Sequence, residues 1–310
     1  MKRIIVFGLG GIGGYIGARL GGAGAGTEVV FIARGAHLAA IRKSGLRFRS
    51  PDGREETVKP FLATDAVAEA GKADAVFICT KGYDLVEACR SLVPAIGPDT
   101  VVLPLLNGAD IHDRVRGVLK TGVVLPGGIY ISSTVIEPGL VAQAGGKGNL
   151  FLGKDPGRPD FDQASFLALL GRAGIPYDWQ DDPFPAIWAK YLFIAGFGLV
   201  TGLSGKTIGE VIADPELAAT VRGIQGEAAA LARATGVKLP EDAAEAAFEK
   251  GKAFPPATKT SFQRDLAQSG KPHEGDLFGG TILRLAKETG LPAPTAARVY
   301  DAILARKAAR

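Results

Sequence analysis

Gly8, Gly10 and Gly13 stand at the G-x-G-x-x-G spacing, between an apolar run at residues 4–7 and the helical repeat of Ile12, Ile16 and Leu20. The run predicts a strand buried on both faces of a parallel sheet, and the repeat predicts the helix that follows it. Each glycine has a task at such a junction. Gly8 permits the tight turn, Gly10 lets backbone approach a pyrophosphate, and Gly13 lets helix and strand pack closely. An anion placed there meets the free N–H groups and positive dipole end of the helix. A chain with 43 glycines also makes glycine-rich loops that bind nothing. The flanking strand and helix favour nucleotide binding, with Gly8, Leu9, Gly10, Gly11, Ile12 and Gly13 as the cradle.

Further along stand side chains that could complete such a site. A second strand over 28–33 ends in Ile32-Ala33-Arg34-Gly35, with no carboxylate for a ribose 2′-hydroxyl. Arg34 offers instead a planar fork suited to a 2′-phosphate, which favours NADPH; the alternative is a solvated surface arginine. A strand over 73–80 ends in Lys81 and another over 101–106 ends in Asn107-Gly108, so both polar residues fall at the crevice end of a parallel sheet. Lys81 is read as a cofactor ligand. Asn107 is either a ligand near the nicotinamide or an ordinary turn asparagine before glycine. Lys190 is a lone charge in the apolar stretch that includes Trp188 and Tyr191-Leu192-Phe193-Ile194-Ala195. A buried ammonium titrates low and donates its proton readily; a lysine snorkelling from a helix end is the alternative.

Those residues need two kinds of scaffold. Residues 1–179 read as an α/β domain of Rossmann type, with a short hairpin or edge pair over 45–60, strands over 122–133, 140–144 and 150–152 completing the sheet, a helix over 161–173 and a last strand over 174–177. Residues 180–310 read as an all-α domain. Its joint is Gln180-Asp181-Asp182-Pro183, and its helices start at Pro185, at the Asp214-Pro215-Glu216 cap, at Pro240-Glu241-Asp242, at Asp276 and at Thr295. An α/β dinucleotide domain followed by a helical one points to a dehydrogenase with its substrate in the cleft between them.

Composition narrows the classes. The 310 residues are 46% apolar and 22% charged, which suits two ordinary globular cores. A net charge of +4 without basic runs gives no reason to expect nucleic-acid binding. Cys79 and Cys89 form no disulfide framework, and His37, His112 and His273 are scattered without metal spacing, so a reducing cytoplasm and no metal are expected. Lys2-Arg3 before an apolar run imitates a signal peptide, but glycines interrupt that run and its loss would remove the first strand. The apolar stretch over 191–200 is too short to span a bilayer, and no membrane is expected.

Taken in order, the motifs resemble the ketopantoate reductase (2-dehydropantoate 2-reductase) family over nearly the whole length. They are Gly8-Leu9-Gly10-Gly11-Ile12-Gly13, Arg34, Lys81, Leu106-Asn107-Gly108, Pro138-Gly139, Trp188-Ala189-Lys190, Ser261-Phe262-Gln263-Arg264-Asp265, Glu274-Gly275-Asp276 with Gly280, and Gly290-Leu291-Pro292-Ala293-Pro294. The resemblance implies hydride transfer from NADPH to the keto carbon of a 2-oxo acid, on the way to pantoate and coenzyme A. It implies Lys190 as proton donor, Glu274 as the group that orients the emerging hydroxyl, Ser261 as the carboxylate ligand and Asn107 between nicotinamide and substrate. Glu274 and Ser261 also read as a helix-start acid and a helix cap.

Two departures from the family stand out. Asparagines usual one and two turns after the lysine are here Ile194 and Gly198, which makes the pocket more apolar and opens the choice of acyl group. The turn 268–273 is one residue longer than usual, leaving His273, expected to be exposed, as a fallback to Glu274. Alternatives to 2-dehydropantoate reduction are therefore another branched 2-oxo acid, or NADPH sensing without turnover. A second copy could pack on the apolar helical domain.

Overall fold

The computed structural model describes the chain apart from residues 23, 25, 269–271 and 309–310. Contacts divide it into two compact units, Met1–Leu106 with Ile111–Pro183, and Asn107–Asp110 with Phe184–Arg310.

The first unit runs β1 (Arg3–Phe7), α1 (Gly11–Gly21), β2 (Glu28–Ile32), α2 (Gly35–Ser44), β3 (Leu46–Arg49), β4 (Glu55–Val58), β5 (Leu62–Thr64), β6 (Ala75–Ile78), α3 (Leu85–Leu92), β7 (Val101–Pro104), α4 (Ile111–Val118), β8 (Val123–Val124), β9 (Gly127–Glu137), β10 (Leu140–Gly153), α5 (Ala164–Arg172) and β11 (Tyr177–Gln180). Six strands form a parallel sheet in the order β5-β2-β1-β6-β7-β8. The continuous apolar sequence of β1 follows from that position: Ile4, Ile5 and Val6 are covered on both faces and fully buried. From β1 the chain builds outward through β2 to β5, then returns to place β6 on the other side of β1. The carboxyl ends of β1 and β6 therefore flank a topological switch point, where open α/β sheets hold their ligands.

The strands expected to complete this sheet do something else. Only β8 joins it; β9 and β10 are an antiparallel pair in a separate five-stranded sheet with β3, β4 and β11. Residues 140–144 and 150–152 belong to the single 14-residue strand β10, whose register against β9 shifts around Gly145. The last strand is Tyr177–Gln180 rather than 174–177, and it pairs parallel with Leu150–Gly153. The break between the units consequently falls after Pro183.

Helix α1 packs against both sheets, which accounts for its unusual glycine content. A Cβ on Gly17 would lie 2.9 Å from the Phe31 ring of β2, and one on Gly14 would lie 2.5 Å from Val141 of β10. Each interior glycine costs a helix about 1 kcal/mol relative to alanine, and close approach on two sides is what the glycines permit here.

The second unit is helical: α6 (Phe184–Ser204), α7 (Ile208–Ala213), α8 (Pro215–Ala234), α9 (Ala243–Lys252), α10 (Ser261–Leu266), a π-helical turn Asp276–Gly280, α11 (Thr281–Thr289) and α12 (Pro294–Ala308). The Asp214 carboxylate caps α8 by accepting from the Glu216 and Leu217 amides. The short helix α7 opens with a capping box between Thr207 and Glu210.

Helix α6 is the core of this unit. It extends the apolar stretch over 191–200 to 21 residues, so length and composition alone would let it cross a membrane. In the fold, 61% of its most apolar window is instead buried, against α8, α9, α10 and α12. Leu192, Phe197 and Leu199 are fully covered, each contributing roughly 1.5–3 kcal/mol.

Candidate active site

At the switch point of the first unit lies a cavity of about 490 Å³. Gly8, Leu9, Gly10, Arg34 and Lys81 line it, and Gly11, Ile12 and Gly13 stand behind that lining in the first turns of α1. Gly8 has φ +90°, a backbone state open to glycine, and its N–H donates to the Ile32 carbonyl at 2.9 Å. Gly10 is the N-cap of α1, and a Cβ there would meet nothing within 4 Å. That open backbone at a helix start is where a pyrophosphate fits. The Thr80 hydroxyl oxygen, in the same lining, is buried without a hydrogen-bond partner among the described residues, as expected of a group that awaits a ligand.

Gly13 holds helix to strand. A Cβ on it would lie 1.8 Å from the Gly8 carbonyl oxygen, so Gly13→Ala must displace either the turn or the helix. Such overpacking typically costs about 1–3 kcal/mol. Thermal unfolding should show a lowered Tm and titration a weaker affinity for the dinucleotide; wild-type values for both would refute the close contact.

The polar side chains of the cavity differ in setting. Arg34 is the N-cap residue of α2, with its side chain 81% exposed, and Nη2 donates to Asp84 Oδ2 at 2.7 Å. Lys81 is exposed and opens the short 3₁₀ turn Gly82–Asp84. His37 is a lining residue that sequence reading passed over as one of three scattered histidines. The Gly139 N–H donates to its Nδ1 at 2.9 Å, and burial lowers its pKa, so the ring is neutral with the proton on Nε2. Both cysteines are free thiols; burial pushes Cys79 well up and Cys89 up to about 12, which leaves neither as a nucleophile.

In the second unit, Lys190 lies in the second turn of α6, away from the helix end, and its Nζ donates to Asn107 Oδ1 at 2.9 Å. Burial first, and then the positive charge of Lys250 on α9, lowers the Lys190 pKa to about 8. Asn107 reaches this place because residues 107–110 pack with the helices. Asp110, three residues on, accepts from Arg284 at 2.9 Å and from the Thr281 hydroxyl at 3.1 Å, while Arg284 also binds Asp276 at 2.7 Å. These anchors were not legible in the sequence. They fix the turn that presents Asn107.

The π-helical turn packs against α6. Tyr191, the next residue of α6, donates its hydroxyl to the Phe278 carbonyl at 2.5 Å. Glu274 stands two residues before this turn and is 7% exposed. His273 is half-buried rather than exposed: it packs edge-on to Phe262 at 5.7 Å, and its Nδ1 accepts from the Gly275 N–H at 3.1 Å. The longer turn 268–273 lies partly outside the described residues. Ser261 is not the helix cap. It is the exposed first residue of α10, and Thr260 caps by accepting from the Gln263 amide. Gly198 faces aromatic rings: a Cβ there would sit 3.8 Å from Phe262 and 4.0 Å from Phe278, which meet edge to face at 5.1 Å. Ile194 is half-buried. Among the described residues, no three His, Cys, Asp or Glu side chains gather as metal ligands.

A parallel sheet that carries an open glycine turn at its switch point, in a chain that continues into a helical unit with a lysine of lowered pKa, defines an oxidoreductase of the Rossmann-type dinucleotide-binding class. Residues 4–157 match the family described as ketopantoate reductase PanE/ApbA, and residues 184–307 match its C-terminal part. The chain belongs to the ketopantoate reductase family, and is an oxidoreductase of the 2-dehydropantoate 2-reductase type. It is 31% identical to the 2-dehydropantoate 2-reductase of Mesorhizobium japonicum, over 98% of this chain and 96% of that one. The crystal structure of a PanE/ApbA family ketopantoate reductase from Ralstonia eutropha JMP134 superposes with TM-score 0.88 at 29% identity, covering 98% of each chain. That of 2-dehydropantoate 2-reductase from Porphyromonas gingivalis W83 gives 0.82 at 33% identity, over 97% of this chain and 99% of the other.

Proposed function

We propose that the protein reduces 2-dehydropantoate to pantoate with NADPH, and that Lys190 delivers the proton. The observation that carries this reading is the Lys190–Asn107 contact at 2.9 Å, made by a lysine whose pKa is lowered to about 8. An ammonium has three N–H donors. Asn107 takes one and fixes the direction of the rest, so that the group can polarise a keto oxygen and then protonate it. When bound, the reduced nicotinamide supplies hydride to the keto carbon; hydride on carbon and the Lys190 proton on oxygen complete the alcohol. Gly8 to Gly10 would hold the pyrophosphate, Arg34 and Lys81 the phosphate of the adenosine half. Glu274, nearly covered before the π turn, would accept from the new hydroxyl, and Ser261, whose hydroxyl the cap does not use, would meet the carboxylate. On this reading the enzyme serves pantothenate and coenzyme A synthesis in a reducing cytoplasm.

A second substrate is favoured by one feature. With Ile194 and the Gly198–Phe262–Phe278 contact where amides usually stand, the site suits a bulkier, more apolar acyl chain. Consumption of NADPH with 2-dehydropantoate and with branched and aromatic 2-oxo acids, from about pH 6 to about pH 10, tests both readings. A lysine at about 8 is protonated below that pH and loses its proton above it. Reduction should therefore be level on the acid side and fall roughly tenfold per pH unit beyond about 8. NADPH binding without turnover of any 2-oxo acid would replace the enzyme reading with that of a sensor.

A further inference from the structure

We propose that Asp84 is a specificity residue for the dinucleotide: by holding Arg34, it narrows the preference for NADPH over NADH. The inference rests on the reading that Arg34 meets a 2′-phosphate, and it concerns what that arginine must give up to do so.

Asp84 sits at the N-cap position of α3, where an aspartate would ordinarily accept from the first amides of the helix. It makes no such cap. Its carboxylate is spent on Arg34 instead, with Oδ2 at 2.7 Å from Nη2, and the pair joins the loop after β2 to the loop after β6. Both residues line the cavity. The aspartate side chain is 34% exposed against 81% for the arginine, so it is the better fixed of the two.

The charges around it point the same way. Asp65, Asp84 and Glu87 line the cavity with Arg34 and Lys81. Arg42 lies 3.8 Å from Asp65, and Arg90 lies 3.5 Å from Glu87. Asp84 is thus the carboxylate of that wall that pairs with Arg34 itself. A 2′-phosphate needs the guanidinium fork, and must share or displace the Asp84 carboxylate while it brings its own negative charge beside it. A ribose 2′-hydroxyl asks for neither: it can donate to a carboxylate and leave the ion pair standing. The same aspartate therefore costs NADPH affinity and spares NADH.

Fluorescence titration of the full-length protein with NADPH and with NADH, for the wild type, Asp84→Asn, Asp84→Ala, Arg34→Ala and the Arg34→Ala/Asp84→Ala double variant, tests this. Exposed ion pairs of this kind are weak, so the NADPH-to-NADH affinity ratio should rise about fivefold in both Asp84 variants. The change should appear in the NADPH Kd, and removal of Asp84 should raise the ratio less in the Arg34→Ala background, where only the charge repulsion is left to relieve. An unchanged ratio, or equal weakening of both dinucleotides, with NADPH affinity still lost in Arg34→Ala, overturns the role of Asp84 alone. Undiminished NADPH affinity in Arg34→Ala overturns the reading of Arg34, and the inference with it.

Discussion

Lys190→Ala is expected to lower kcat for 2-oxo acid reduction by about 10²–10⁴-fold, the usual loss when a positioned general acid is removed. Two separable effects lie within that number. An ammonium stabilises the charge that develops on the keto oxygen, and it also surrenders a proton. Lys190→Arg separates them, because a guanidinium keeps the charge but does not deprotonate in the working range. If proton delivery dominates, the arginine variant should be nearly as slow as the alanine variant and should lose the fall in rate above about pH 8 that follows from the lowered lysine pKa. If charge stabilisation dominates, it should recover much of the loss. Titration with NADPH is the control: the glycine cradle belongs to the first unit and Lys190 to the second, so affinity for the dinucleotide should change little. Wild-type kcat in the alanine variant would remove Lys190 from the mechanism.

What the sequence could disclose depended on how local each signal was. The turn at Gly8 was legible because a buried strand, a glycine with positive φ and a helix start lie within a few residues of one another. The same holds for the Asp214 cap, where one side chain and two nearby amides make the whole interaction. Sheet membership is not local. The strands β9 and β10 show apolar and glycine-rich runs that would suit either sheet, and only the tertiary packing of α1 between the two sheets decides that they form the second. The bounds of the last strand of the first unit shifted for a comparable reason: pairing with Leu150–Gly153 selects Tyr177–Gln180, which residues 174–177 alone do not reveal. The short helices α7 and α10 escaped the sequence reading, because six residues are too few to show a helical period; their starts at Thr207 with Glu210 and at Thr260 stand out only once the structure places them.

The candidate site divides along the same line. Lys190 stood out as a charge in an apolar stretch, whereas its hydrogen bond to Asn107 spans 83 residues and has no counterpart in spacing. Nor does any motif link Arg284 on α11 to Asp110, although that contact fixes the turn on which Asn107 stands. The Asp84–Arg34 pair spans 50 residues and was equally hidden. Residue type discloses which chemistry is available; the partner that tunes it comes from the fold.

Arg34→Ala is expected to weaken NADPH binding about 10- to 100-fold and to leave NADH affinity within about twofold, because hydrogen bonds to a charged group each contribute about 1.5–3 kcal/mol. The expectation follows from position. Arg34 closes the loop after β2, where a ribose would lie if the pyrophosphate rests on Gly8 to Gly10, and no carboxylate ends that strand to hold a 2′-hydroxyl. Its guanidinium is 81% exposed and engages Asp84 through one nitrogen, so a phosphate can reach the fork from solvent, and the gain is smaller than for an arginine held ready without a partner. Arg34→Lys keeps the charge and loses the fork, and should fall between wild type and alanine. The comparison has to be made at one fixed, moderate salt concentration, since an exposed arginine–phosphate contact is screened over about 10 Å at 0.1 M ionic strength. Equal weakening of NADPH and NADH would assign Arg34 to holding the loop rather than to reading the phosphate. A loss confined to NADPH would assign the reading of the 2′-phosphate to Arg34 at the end of β2, with Asp84 left to tune how freely that arginine can serve.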